Sequence, residues 1–265
     1  MDGFKLYWHS ICMLMKSRLQ YPLSFFLQTL AQIVMQGGEL LAVLLIIDRF
    51  DTLNQWSGGD LLFFFGLMSV IFYLTECFAR GVTCFPPLVQ QGKLDTFLLR
   101  PRGVLAQALC YQMDPRRVGT VAVGAAAMLM GAAQAQVVWT GLKLLALLEA
   151  VAAGGVMIMG LFLIDAMLSI HSVKSIEVVN VLTYGGRSAC QYPLDIYPKP
   201  LKTLFLFVAP FGLTVHAPAA YILGKNLFGW PDWTAFVTPL SGPLFFGAMY
   251  LLFQRAMRYY RSTGS

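Results

Sequence analysis

Gln91-Gly92-Lys93-Leu94-Asp95, followed by Leu98-Leu99-Arg100-Pro101, is a compact polar and basic insert between two long apolar runs, residues 61–79 and 118–138. The chain around it is 57% hydrophobic and only 12% charged, with a mean hydropathy of +0.65. A soluble domain of this length carries roughly a quarter of its residues as charges. The reading that follows is an all-α integral membrane protein, with the insert as a handle on the positively charged side of the membrane, where a soluble partner can push on the spans.

The 265 residues supply about six or seven spans of roughly 20 residues with short connections and leave no room for a separate soluble catalytic domain. One domain, 1–265, is expected. Cys12, Cys77, Cys84, Cys110 and Cys190 show neither CxxC pairing nor histidines at ligand spacing, so they read as packing residues. The net charge of +6 is explained by basic residues gathering in cytoplasmic loops, and no nucleic-acid partner is expected.

Working outward toward the N-terminus, Lys5, Lys16 and Arg18 interrupt any signal-peptide core. Phe4, Tyr7, Trp8, Ile11 and Leu14 recur at helical spacing, which predicts an amphipathic interfacial helix over 1–22, ended by Pro22. Span one is Leu23 to Ile47, with Glu39 as its single ionisable residue. Asp60 is placed to cap span two, Leu61 to Ala79. Arg80, Lys93, Arg100, Arg102, Arg116 and Arg117 put the 80–117 connection, and with it the N-terminus, in the cytoplasm. Pro86-Pro87 pre-sets a helix start, Leu88 and Val89 are expected to face the membrane, and Gly92 ends a helix of barely two turns. Lys93, Asp95 and Arg100 then present charges, while Phe97, Leu98 and Leu99 are expected to anchor the segment onto the spans.

Beyond the insert, span three (Val118 to Val138) carries Ala127, Gly131 and Ala135 four apart, a face that lets another helix approach closely, by default within the chain. Span four is Leu142 to Leu168, and a fifth runs from about Ile170 to Ala189, interrupted by Lys174, Glu177 and Arg187. Prolines break 191–233. Because Arg255, Arg258 and Arg261 place the C-terminus in the cytoplasm after span six (Thr234 to Met257), Leu201 to Leu223 is read as two short helices that dip into the outer leaflet and return. Six crossings result.

No phosphate-binding loop, HExxH or GxSxG is present, and His9, His171 and His216 are scattered, so no catalysis, metal or cofactor of the chain's own is expected. Carboxylates within spans are costly and seldom kept without a role. Glu39 and Glu149 are therefore candidate pathway residues, with an internal ion pair the alternative for Glu39. Glu76 and Asp165 lie near inner ends, where pairing with Arg80 or His171 is the simpler reading. A carrier driven by an ion gradient, using Glu39, Glu149 and Asp165, is the competing class, although no inverted repeat is visible.

The handle motif, Tyr192-Pro193-Leu194 with Tyr197-Pro198, Ala209-Pro210 with Ala217-Pro218-Ala219, and Tyr260 through Ser265 resemble, in order and spacing, the bacterial ABC-2 type permeases, over nearly the whole chain. LD-x-x-LLRP is the most specific element. The chain departs from a typical member in having Cys84-Phe85-Pro86-Pro87 ahead of the handle. The resemblance implies a type V exporter fold of about six spans in the bacterial inner membrane, one permease half working with a second permease, identical or related, and two ATPase subunits that bind ATP and Mg. It implies ATPase coupling through Pro87, Leu88, Val89, Gln90, Gln91, Gly92, Lys93, Leu94, Asp95 and Arg100. The 191–233 region would close the exit. A hydrophobic small molecule, drug or lipid is the expected cargo, with glycolipid or polysaccharide the alternative.

Overall fold

A computed structural model of the protein describes residues 3–49, 52–171, 180–226 and 229–260. Helices dominate: α1 (Gly3–Leu19), α2 (Pro22–Arg49), α3 (Gly58–Thr83), α4 (Phe85–Gln90), α5 (Leu94–Leu98), α6 (Val104–Tyr111), α7 (Arg117–Gln134), α8 (Gly141–His171) and a last long helix, Ser241–Arg258. Among the described residues four segments are long and apolar enough to cross a membrane: Pro22–Arg49, Gly58–Gln90, Gly141–Ile170 and Thr234–Arg258. A multi-pass membrane protein follows from these spans. The expected fifth span falls partly on residues 172–179, which lie outside the described residues, as do Lys174 and Glu177. Arg261 through Ser265 of the terminal motif also lie outside them.

α3 is the axis. It is apolar round most of its circumference, and even its one polar face, with Ser69 and Glu76, is buried, so other helices must cover it nearly all round. Phe63, Phe64, Leu67, Met68, Ile71 and Phe72 are all but fully buried, against Met157, Leu161 and Phe162 of α8 and against Phe211 and Val215. On its other flank α3 meets α7 backbone to backbone. A Cβ on Gly66 would stand 2.3 Å from Met128 N, one on Gly131 would stand 2.4 Å from Phe63 N, and one on Gly124 would stand 2.8 Å from the Ser69 Cβ. The small face expected on α7 thus packs within the chain. Half of the seam is Gly59 and Gly66 of α3, which the sequence reading did not single out, and Ala135 lies just past the helix as its cap.

Two boundaries differ from expectation for local reasons. α3 begins at Gly58, because Ser57 rather than Asp60 is its N-cap: the Asp60 backbone N–H donates to Ser57 Oγ, and Ser57 N–H donates back to Asp60 Oδ2 at 2.7 Å. This reciprocal box satisfies two of the orphan N–H groups of the first turn. Ahead of it the polar connection folds as a two-residue antiparallel ladder, β1 (Thr52–Leu53) and β2 (Trp56–Ser57), a departure from an entirely helical chain. The proline-rich region forms Lys199–Val208 and Gly212–Ile222, two helical arms at 84°. The break at Ala209-Pro210 leaves wide π-type turns on both sides, Leu204–Val208 and Gly212–His216. His216 is buried at the bend, its ring stacked on Phe64 and its nitrogens 3.3 Å from Phe211 O and 3.1 Å from Tyr192 O.

α2 and the last helix are the sparsely covered spans; in the last helix only Gly242 and Phe253 are buried. In α2 only Gln36 and Val43 of 28 residues are buried, and Leu23, Phe26, Leu27, Val34, Met35 and Leu45 are exposed. Gly66→Leu should lower stability by about 1–3 kcal/mol through overpacking, read as a lower thermal melting point in detergent. Gly37→Ala, where nothing lies within 4 Å of the added Cβ, should not lower the melting point and should raise it slightly, because alanine favours a helix interior over glycine by about 0.5–1 kcal/mol.

Candidate functional site

The handle is built at the inward turn of α3. Helical geometry lapses at Ala79 (φ −101°, ψ 16°), where the chain bends, and Gly81 lets the bent end close onto α6, since a Cβ there would overlap Ala108 O at 1.7 Å. Cys84 caps α3 and starts α4, whose Pro86 and Pro87 occupy first-turn positions that need no N–H partner. At the far end Gly92 N–H donates to Val89 O at 3.1 Å and Lys93 N–H to Leu88 O at 3.0 Å, with Gly92 at φ +66°. That pair of bonds around a left-handed residue closes a helix and turns the chain sharply. The segment Pro87 to Asp95 is therefore two short helices, α4 and α5, hinged at Gly92.

Two expectations for the handle are reversed. Leu88 and Val89 do not face the membrane; they are buried inside the protein together with Phe85 and Leu94, and Phe85 meets Phe253 of the last helix edge-on at 5.4 Å. These apolar side chains prop the handle against the spans, which is why they are covered. Leu98 and Leu99 do not anchor the segment either: they are 48% and 86% exposed, and Phe97 alone turns inward, onto Tyr111 at 5.8 Å. Gln107 locks this shape by donating to both Phe97 O and Arg102 O at 2.8 Å. Pro87, Gln90, Gln91, Lys93, Leu98, Leu99 and Arg100 form the exposed face.

α1 lies beside this unit. Tyr7 donates to Phe78 O at 3.0 Å, and Tyr7, Ile11, Leu14 and Met15 pack with Cys77 and Met113, whereas Trp8 points outward. Burial, with smaller contributions from Cys110 and Cys77, pushes the Tyr7 phenol up to about 12, so it remains a donor at neutral pH.

Above the handle runs a ladder of polar rungs. Ser69, Tyr73, Glu76 and Arg80 fall on one face of α3, and Gln28, Gln32, Gln36 and Glu39 on one face of α2. Glu76, fully buried, accepts from Arg80 and Arg117 at 2.9 Å each and from Tyr184 at 3.3 Å. Arg117 also donates to Gln32 at 2.7 Å, and Arg116 donates to Gln28 at 2.8 Å. Gln36 donates to Ser69 at 3.1 Å. Higher up, Arg187 is ion-paired with Glu39, donates to Gln36, and lies over the Tyr73 ring at 4.6 Å. Glu39 therefore sits in an internal ion pair, with its own side chain still 42% exposed. Glu149 stands elsewhere, in a mostly apolar groove of about 230 Å³ with Val156, Phe236, Pro239 and Pro243, and its Oε2 has no hydrogen-bond partner among the described residues. The structure thus does not bring Glu39 and Glu149 together. At the opposite end of α3 from the handle, Asp60 pairs with Lys225, and Asp195 accepts from Trp56 at 2.8 Å and from Gln55 at 3.3 Å.

A model of the ABC-2 family transporter proteins matches residues 33–264. The chain belongs to that family. No curated protein and no solved structure matches it. The handle, the bent 199–222 pair and the ladder apart from Gln28 and Gln32 fall within the matched residues, while α1 and the first turns of α2 precede them. An ABC-2 permease is a membrane-spanning transport component, and a charged ladder between its helices has a mechanical meaning: it ties the sparsely packed α2 to α3 and α7 and to the segment carrying Tyr184 and Arg187.

From sequence, Glu39 and the Glu76–Arg80 pair of the permease stand out as candidates, whereas Arg117 reads only as a topology marker, Arg187 only as an interruption of the fifth span, and Tyr73 not at all. The signal was present as three- and four-residue spacing of polar groups on α2 and α3, visible once both faces are written as helices. Their mutual pairing was not visible, because the partners on different helices lie 33 to 151 positions apart.

At the ladder's lower end Asp114 accepts a charge-assisted bond from Arg116. Burial opposes ionisation of this carboxyl, but the Arg116 hydrogen bond and the charges of Arg116, Arg117 and Arg80 outweigh it and hold Asp114 below the usual carboxylate range. Its contribution to stability is therefore complete above the unfolded value of about 3.9 and is lost as pH falls through the lower folded value. Asp114→Asn should flatten that acid loss in melts taken from about pH 6 to about pH 3. Glu76→Ala, which strands two guanidinium groups, should cost about 3–5 kcal/mol, and Glu76→Gln less, as measured by thermal melting in detergent.

Proposed function

We propose that this permease forms half of the translocation pathway of an ATP-driven exporter, coupled through its handle to a separate ATPase that binds ATP and Mg. The observation that carries the reading is the handle itself: two short helices locked at Gly92, propped by buried Phe85, Leu88, Val89 and Leu94, with Leu98, Leu99 and Arg100 left standing outward. A segment rigid underneath and apolar at its tip is suited to transmit a push. The exposed leucines are the knob that enters a groove of the ATPase, and Lys93 and Arg100 give it orientation.

In this mechanism two permease copies, identical or related, meet in the inner membrane with both termini in the cytoplasm, and two ATPase subunits grip the two handles. ATP binding favours one arrangement of the spans by differential contact with the handles. Because α4 and α5 rest on α8, α6 and the last helix, a push moves these together, while α2 follows through its polar rungs and the small apolar cluster around Val43. Glu39 and Glu149 are assigned to the pathway side, the bent 199–222 pair is a re-entrant closure at the outer face, and the cargo is a hydrophobic small molecule, drug or lipid.

The test is reconstitution of the permease with its ATPase in vesicles. Gly92→Leu, which forces a branched residue to a positive φ at about 1–2 kcal/mol, and Leu99→Asp should lower transport by about tenfold, equivalent to roughly 1.4 kcal/mol of lost coupling, while ATP hydrolysis and membrane insertion persist. Charge reversal at Lys93 and Asp95 should act the same way. Unchanged transport and ATPase co-purification in these variants, or solute movement by the permease alone on a proton or sodium gradient, would overturn the reading.

A further inference from the structure

At the end of α3 away from the handle, one short hairpin is gripped by both feet of the bent 199–222 pair. The chain passes from α2 to α3 through β1 and β2, turned at Asn54 with φ +57°, a conformation that asparagine tolerates better than most residues. A two-stranded ribbon this short has little stability of its own, so its partners hold it in place. Trp56 is completely buried, edge-on to Phe64 at 5.1 Å, and its indole N–H donates to Asp195 Oδ1 at 2.8 Å, while Gln55 donates to Asp195 Oδ2 at 3.3 Å. Asp195 stands in the helical turn Leu194–Ile196, just ahead of the arm Lys199–Val208.

The other arm is fastened to the same two residues. Gly224, at φ +69°, ends the arm Gly212–Ile222: its N–H donates to Tyr221 O at 3.1 Å, and Lys225 N–H donates to Ala220 O at 2.9 Å. A left-handed glycine closure of this kind reverses the chain. It brings the Lys225 ammonium onto the hairpin, where it donates to Gln55 O and Asp60 Oδ2 and lies 5.2 Å from the centre of the Trp56 ring. Gln55 and Trp56 therefore meet the foot by which the chain enters the bent pair and the foot by which it leaves.

We propose that the hairpin is a latch, which holds both feet of the bent pair against the end of α3 and lets the two arms go together when either foot is freed. Its bonds are suited to exchange: Gln55 is exposed and the Lys225 side chain is 28% exposed, so water can take over their hydrogen bonds as a foot moves away. The indole of Trp56 is what joins the two feet, with its N–H on Asp195 and its face under Lys225. α2 ends at Arg49 and β1 begins at Thr52, so the hairpin is also where that sparsely covered span meets the bent pair. The latch rests on these contacts; that its release opens an exit rests on the reading of the pair as the outer closure.

Peptide-resolved hydrogen–deuterium exchange of the full chain in lipid nanodiscs tests it. Trp56→Phe keeps a ring against Phe64 but loses the N–H that holds the entry foot, and Lys225→Met keeps the stem but loses the ammonium that holds the exit foot. Each should speed exchange by about tenfold, the factor that one hydrogen bond to a charged group supplies, and in both arms, 199–208 and 212–222, while α3, α7 and α8 keep their native rates. Asp195→Ala should match Trp56→Phe, and Asp195→Asn, which still offers an oxygen to the indole, should stay close to the native chain. If Trp56→Phe does not fold, Asp195→Ala and Lys225→Met carry the same comparison. Faster exchange of both arms with unaltered transport in the reconstituted complex supports the latch and counts only against the pair as an exit closure. Native exchange rates in the variants, faster exchange confined to the arm whose own foot was freed, or a rise shared equally by α3, α7 and α8 overturns the proposal.

Discussion

Inside a bilayer a polar group has no water to fall back on, and the arrangement of this protein depends on how that requirement is met around Glu76. One oxygen of its fully buried carboxylate, Oε1, takes donors from two arginines and a tyrosine that belong to three different parts of the chain, while Oε2 has no hydrogen-bond partner among the described residues. Paired charges of this kind contribute little net stability against an apolar core, but removing one partner is expensive. The ladder therefore acts as a specification of which helices are neighbours, and in which register, more than as a source of binding energy.

The apolar core supplies the energy that the ladder does not. α3 buries a continuous column of phenylalanine, leucine and methionine against α8, and glycines at 59, 66, 124 and 131 allow α3 and α7 to touch at backbone distance. Dispersion and close packing serve between spans where lipid offers no hydrophobic gain. α2 has less of either. Val43 packs on Leu62, Phe65 and Ala127, and Gly119 of α7 lies against Ile33 and Thr29, but the helix is exposed along most of its length, and its glutamines and Glu39 add contacts that are directional. A rigid α3–α7–α8 body beside a lightly fastened α2 is an architecture suited to relative motion between the two.

The handle joins this rigid body to the outside. Its underside is apolar and enclosed, its upper turn is fixed by Gln107 and Gly92, and its tip carries the exposed Leu98-Leu99-Arg100. A displacement of the tip reaches α8 and the last helix through Phe85 and Phe253 without a flexible joint in between.

Much of this was legible in the residues themselves. Hydropathy runs marked the four long spans, the proline pairs marked where 199–222 bends, Gly92 marked the end of α4, and LD-x-x-LLRP with the later Tyr-Pro motifs pointed to the ABC-2 family, because each depends on local composition or short spacing. Three things depended on the tertiary structure. Leu88 and Val89 turned inward while Leu98 and Leu99 turned out, since for a short apolar run the burying face is chosen by whichever helix lies behind it. The α3 glycines became a seam only opposite those of α7. Arg187 and Glu39 became partners, because pairing between charges 148 positions apart is decided by how the helices assemble and leaves no trace in local sequence.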